Sequence, residues 1–150
     1  MDLIKGAAAG LIAGIAGTYV KTLWEKQFPV RDEQTDSPPA KMAQRATDDH
    51  LSEDEKEEAE TVIHWTFGTT VGASYGTLVE AYPATGAAAG LPFGVALWLG
   101  THASVLPAFQ LEPPPDEIKP VAYPRNEFLG HLAYAVTVEV VRASVRRALG

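Results

Sequence analysis

Apolar and polar residues follow one another along this chain in long blocks, without the two-residue alternation of exposed strands. Gly6 to Trp24 is nineteen residues with one formal charge, Lys21, about the length that carries a helix across the hydrocarbon core of a bilayer. After Phe28-Pro29 the chain is polar to Leu51, and Ser37-Pro38-Pro39 marks the cap and first turn of a short surface helix. Ser52-Glu53-Asp54-Glu55 reads as a capping box. No breaker follows until Pro83, which predicts one long helix that starts in water and enters the membrane near Thr61. Ala81 to Leu111 contains no Asp, Glu, Lys or Arg, which predicts a tight turn at Tyr82-Pro83-Ala84-Thr85 and a crossing that tolerates Pro92. Five prolines between Glu112 and Asn126 predict extended loop, with Asn126 capping a last helix.

The pattern thus predicts an all-α fold, an integral membrane four-helix bundle in one domain. Its helices are expected at about 3–26, 53–81, 85–106 and 127–149, with an acidic extramembrane segment at 31–60 and a proline-rich loop at 107–126. The last helix spans only if Glu139 faces the bundle and Arg142, Arg146 and Arg147 reach the headgroups; otherwise it lies amphipathic on the surface.

Composition changes this picture in one respect. The mean hydropathy of -0.04 looks too low for a membrane protein, but Arg31 to Glu60 holds eleven acids against four bases, which accounts for the whole formal charge of -7. The remainder is neutral overall, and the acidic balance argues against a nucleic-acid partner. With no cysteine there is no disulfide, thiolate metal site or cysteine nucleophile. The segment from Lys5 to Gly14 has the make-up of a secretory signal, yet it continues apolar to Trp24, longer than a signal core needs.

Glycines recur every four residues in three predicted helices: Gly6, Gly10 and Gly14; Gly68, Gly72 and Gly76; Gly86, Gly90 and Gly94. Such stripes let backbones approach closely where lipid supplies no hydrophobic drive, and they predict tight packing within the bundle or self-association. The hexapeptide Gly-Ala-Ala-Ala-Gly-Leu occurs at 6–11 and again at 86–91, each ahead of a polar loop and a helix with an early histidine, His64 and His131. A pair of tandem helix-loop-helix repeats is one reading, and chance similarity in Gly/Ala-rich sequence is the other.

Ionisable residues inside a bilayer are costly and mark function or pairing. In an up-and-down bundle Lys21, Glu25, His64, His102 and His131 fall at one membrane face, with Lys21 and Glu25 one turn apart and able to pair. Three readings stay open for them: hydrogen bonding across helices, a divalent metal on His64, His102 and His131, or a proton or substrate pathway. On the second helix His64, Gly68, Gly72 and Tyr75 share a face; at the far end stand Glu80 and the i, i+3 pair Glu139 and Arg142. The basic ending with Lys5 suggests cytoplasmic termini. No phosphate loop, nucleophile elbow or pair of catalytic carboxylates can be placed, so enzymatic activity has no positive support and no cofactor is named.

The order and spacing of Ala9-Gly10-Leu11-Ile12-Ala13-Gly14, Val20-Lys21, Trp24-Glu25, His64, Phe67, Tyr75, Glu80, Pro83, His102, Gly130-His131, Glu139 and Arg142 resemble the YagU-like bacterial inner-membrane proteins. The resemblance covers every predicted crossing and departs in the 31–60 segment and at Pro29-Val30-Arg31, where two prolines are expected before the arginine. It implies an inner-membrane location, and a link of one member to acid resistance implies a proton-related role for the His/Glu cluster. Three functions are therefore carried forward: an accessory or structural subunit of a larger membrane assembly, a small transporter or proton-responsive protein, and a histidine-based metal binder.

Overall fold

The computed structural model describes Met1–Gly150, and all of its regular elements are helices, with no strands. Its helices are α1 (Leu3–Gln27), α2 (Pro38–Ala46), α3 (Glu53–Ala81), α4 (Leu91–Gly100) and α5 (Ala122–Ala148). Local chemistry sets most of the boundaries. The Asp2 side chain accepts from the Lys5 amide at the start of α1, and Ser37 caps α2 ahead of two prolines. Ser52 and Glu55 close a reciprocal capping box on α3, which ends two residues before Pro83.

α3 packs on α1, α1 on α5, and α5 on α4, while α2 lies against α3. The chain runs up, down, up and down. The Asp2 amide donates to Glu80 Oε1 at 2.8 Å at one end, and Trp24 Nε1 donates to the Asn126 carbonyl at 2.9 Å at the other.

The packing is inverted relative to a water-soluble bundle. Glycine and alanine (Gly6, Ala9, Gly10, Ala13, Gly14, Gly17) form the buried face of α1, whereas Ile4, Leu11, Ile12, Ile15 and Leu23 are exposed. Large apolar groups turned outward and small ones inward suit a lipid surround, where close backbone contact is the available attraction. A Cβ on Gly14 would lie 2.9 Å from the Gly68 carbonyl oxygen and from Thr69 Cα; Gly10 stands against Gly72 and Gly76. Three helical stretches, Leu3–Gln27, Pro83–Ala108 and Ala122–Ala148, are long and apolar enough to cross a membrane.

Two expectations fail in the third stretch. No continuous helix covers 85–106. Pro83–Gly90 is a loose 3₁₀-like segment in which Ala88, Ala89 and Gly90 take left-handed backbone angles (φ 50°, 55° and 77°). α4 then starts at Leu91, widens into a π turn over Thr101–Val105 and ends with a short turn at Leu106–Ala108. Pro92 explains the late start. Inside a helix its ring would clash with the Ala88 carbonyl and it could not bond to it, but in the first turn its missing N–H costs nothing. Gly86, Gly90 and Gly94 therefore do not form one helical stripe, although each lies against α5. The two Gly-Ala-Ala-Ala-Gly-Leu segments also differ: the first is regular α-helix and the second is not.

The last helix starts at Ala122, not after an Asn126 cap. Pro124 falls in its first turn, where proline is tolerated, and Asn126 Nδ2 donates to the Pro29 carbonyl at 3.0 Å. α5 is no loose surface helix, since Gly130, Tyr134, Ala135 and Val138 are buried.

Candidate functional site

At the α2 end of the bundle a cavity of about 580 Å³ opens between α3 and α4. Lower down, the two helices meet where the Tyr75 ring stacks on Phe93 at 4.2 Å. Ile63, Phe67 and Val71 of α3 face Leu97, Val105 and Leu106 across it, and α2 roofs it with Pro38 and Met42. Arg45 of α2 ties that roof to the far side by donating to the carbonyls of Phe109 and Gln110 at 2.5 and 2.8 Å.

The five residues Lys21, Glu25, His64, His102 and His131 all line this cavity. Two acids that the sequence reading passed over organise them. Glu127, only 4 % exposed, sits in the first half of α5. Its Oε1 lies 2.7 Å from Lys21 Nζ, 3.3 Å from His102 Nε2 and 3.3 Å from His131 Nδ1. These are charge contacts without hydrogen-bond alignment, and neither carboxylate oxygen of Glu127 has an aligned donor. Lys21 also bonds Glu25 one turn along α1. The second acid, Glu112, comes from the proline-rich loop, and its Oε2 accepts from His102 Nδ1 at 2.5 Å.

Partners fix the tautomers. A backbone carbonyl can only accept, so His131 Nδ1, 3.0 Å from the Glu127 carbonyl, carries the hydrogen. His102 Nδ1 likewise carries the hydrogen it gives to Glu112. One ligand-capable atom from each of His102, Glu127 and His131 lies within 4.8 Å of the others. The two rings stand edge to face with centroids 5.0 Å apart. His64 is not part of that trio: its Nε2 is 3.5 Å from Thr22 Oγ1. The three histidines expected together thus divide: His102 and His131 stand beside Glu127, while His64 reaches Thr22 of α1.

Tyr75, Glu80, Glu139 and Arg142 fall at the opposite end. Arg142 grips Glu139 with two hydrogen bonds of 2.8 and 2.7 Å, and Tyr75 donates to the same carboxylate at 3.0 Å. Arg146 grips Glu80 at 2.9 and 3.0 Å. Arg142 and Arg146 are thus each bound by a carboxylate within the bundle, and Glu139 faces its interior. These acids are fully satisfied, whereas Glu127 is not.

Outside the membrane-spanning segments, hydrogen bonds from the Ser52 side chain and backbone hold the Glu55 carboxyl below its usual pKa. Glu53 and Asp36 raise that of Lys56, whose ammonium joins the acidic segment to α3 through Asp36 at 3.1 Å.

Inverted helix packing around a buried His/Glu/Lys cluster defines a helical membrane protein. The model of a family described as a protein of unknown function (DUF1440) matches residues 15–140, and the chain belongs to that family, in keeping with its resemblance to YagU-like proteins. No curated protein and no solved structure matches it.

Proposed function

We propose that this chain is a small ion-handling protein of the inner membrane, whose cavity admits a cation from the acidic side to Glu127. In this reading α1, α3, the Pro83–Ala108 stretch and α5 all cross the bilayer, with both termini cytoplasmic and the 31–60 segment outside. α3 is less apolar than the other three, carrying His64, which lines the cavity, and several threonines, of which Thr61, Thr66 and Thr70 are exposed.

The observation that carries the proposal is the buried Glu127 carboxylate without an aligned donor at the end of an open cavity. Lys21 Nζ, 2.7 Å away, pairs with this carboxylate but is shared with Glu25, so the buried cluster still favours a further cation. The groups in contact around it, Glu25, Glu112, Glu127 and Lys21, comprise three carboxylates and one ammonium. With neutral imidazoles this contact cluster is net negative, and Arg31, Arg45 and Glu60 also line the cavity. The acidic segment at the mouth raises the local cation concentration. An accessory-subunit role rests on small size, glycine faces and an acidic segment, and the cavity moves the weight to ion handling.

Purified protein in liposomes that enclose a pH dye and a divalent-cation dye tests this. Wild type is expected to carry at least one of the two ions, and Glu127→Gln to cut that flux at least tenfold. Liposomes that pass neither ion above the empty-vesicle rate overturn the proposal.

A further inference from the structure

The geometry points to a divalent first-row transition metal, of the zinc type, bound by His102 Nε2, His131 Nε2 and a Glu127 carboxylate oxygen. This inference rests on the cation-handling reading above and names the ion.

Both histidines are built as metal ligands are built. Ligating histidines nearly always donate their other ring N–H to a carboxylate or backbone carbonyl, which fixes the tautomer and turns the free lone pair to the ion. His102 gives its Nδ1 hydrogen to Glu112 at 2.5 Å, and His131 gives its own to the Glu127 carbonyl at 3.0 Å. In each ring Nε2 is left as the lone pair; that of His102 stands beside the Glu127 carboxylate, whereas the His131 atom 3.3 Å from that carboxylate is Nδ1, so the His131 ring must turn its Nε2 toward the ion on binding. Two ligand atoms at about 2.0–2.1 Å from a tetrahedral ion stand about 3.3 Å apart; His102 Nε2 and Glu127 Oε1 are separated by 3.3 Å. A lone pair and a carboxylate oxygen at that distance repel one another until a cation lies between them.

Charge and chemistry narrow the ion further. The net negative charge of the contact cluster favours a cation. Two imidazoles with one carboxylate suit zinc, cobalt or nickel, whereas magnesium and calcium prefer oxygen ligands. Lys21 is the present counter-ion of Glu127 and already bonds Glu25. When the metal takes Glu127, the ammonium stays on Glu25, and no new buried charge is created. The cavity leaves room for water or a fourth ligand, as an exchangeable site requires.

The test is titration of chelator-stripped, detergent-purified protein with Co²⁺, read by its visible absorption, and with Zn²⁺ by calorimetry. We expect one equivalent to bind, with Glu127→Gln and His102→Ala each weakening binding at least a hundredfold. Glu112→Gln changes only a loop residue and spares the helices; it should weaken binding about 10- to 100-fold by freeing the His102 ring. His50→Ala, at an exposed histidine whose Nδ1 meets the Thr47 carbonyl, serves as the unaffected control. Absence of a one-equivalent site in folded wild type, or a Glu112→Gln affinity equal to wild type, overturns the inference. Proton flux that depends on Glu127 without metal binding would remove the metal and keep ion handling; metal binding without flux of either ion would do the reverse.

Discussion

Lys21 Nζ lies 2.7 Å from Glu127 Oε1, joining α1 to α5 at the α2 end of the bundle. Removing one partner of a buried pair costs about 3–5 kcal/mol, mostly through the charge left behind. Lys21→Met should therefore lower the melting temperature in detergent markedly. Because it strips the site of its own cation, the variant should also regain more stability on adding Zn²⁺ than wild type does. Melting curves of both proteins with and without Zn²⁺ check the two effects together.

Glycine positions should divide by what a methyl would strike. At Gly14 the obstacles are the α3 backbone at Gly68 and Thr69, both 2.9 Å from the added carbon. Gly14→Ala should cost about 1–3 kcal/mol by overpacking. At Gly100 nothing lies within 4 Å, and Gly100→Ala should be neutral or stabilising by up to about 1 kcal/mol. The difference between the two melting temperatures is the measurement.

One substitution should have opposite signs in the two copies of the hexapeptide. Ala89 is left-handed (φ 55°), a conformation that costs a non-glycine residue roughly 1–2 kcal/mol. Ala89→Gly should stabilise by about 1 kcal/mol. Ala9, the matching residue of α1, is regular helix and wholly buried. There Ala9→Gly should destabilise by about 1 kcal/mol or more, from helix propensity and the lost methyl contacts.

Acidification should loosen the water-exposed start of α3. The pKa of Glu55 is lower in the folded chain than in the unfolded one. Its contribution is therefore fully present above the unfolded value and is lost as pH falls through the folded value. Amide protection in the first turn, corrected for intrinsic exchange, should drop over that window in wild type. It should change less in Glu55→Gln, which keeps the cap without the ionisation.

Features that act within a few residues were legible in the sequence. Ser52 with Glu55, and Ser37 with its two prolines, announce helix starts because cap and amide lie on adjacent turns. The pairing of Lys21 with Glu25 follows from one-turn spacing. Glu127 and Glu112 escaped because most of their partners sit on other helices. The single local sign was the four-residue step from Glu127 to His131, which puts both on one face of α5. The start of that helix was misplaced because Pro124 reads as a breaker unless it is known to fall in a first turn. Nothing in the alanines foretells the left-handed run at Ala88, Ala89 and Gly90, although Pro92 accounts for the absence of regular α-helix there.

The π turn at Thr101–Val105 has a bearing on how this chain tolerates insertions and deletions. Such a turn holds one residue more than a regular helical turn. Deleting a single residue there would restore ordinary α-helix and leave the turns beyond it near their present register, whereas deleting one within Leu91–Gly100 would rotate everything beyond it by about 100°. In the latter case Leu106, Phe109 and Gln110 would swing away from Arg45, uncoupling the roof from the wall, while His102 lost its register with Glu112. Single-residue deletions in this five-residue window are therefore expected to be better accepted than deletions within Leu91–Gly100, which should be as damaging as any change around the cavity.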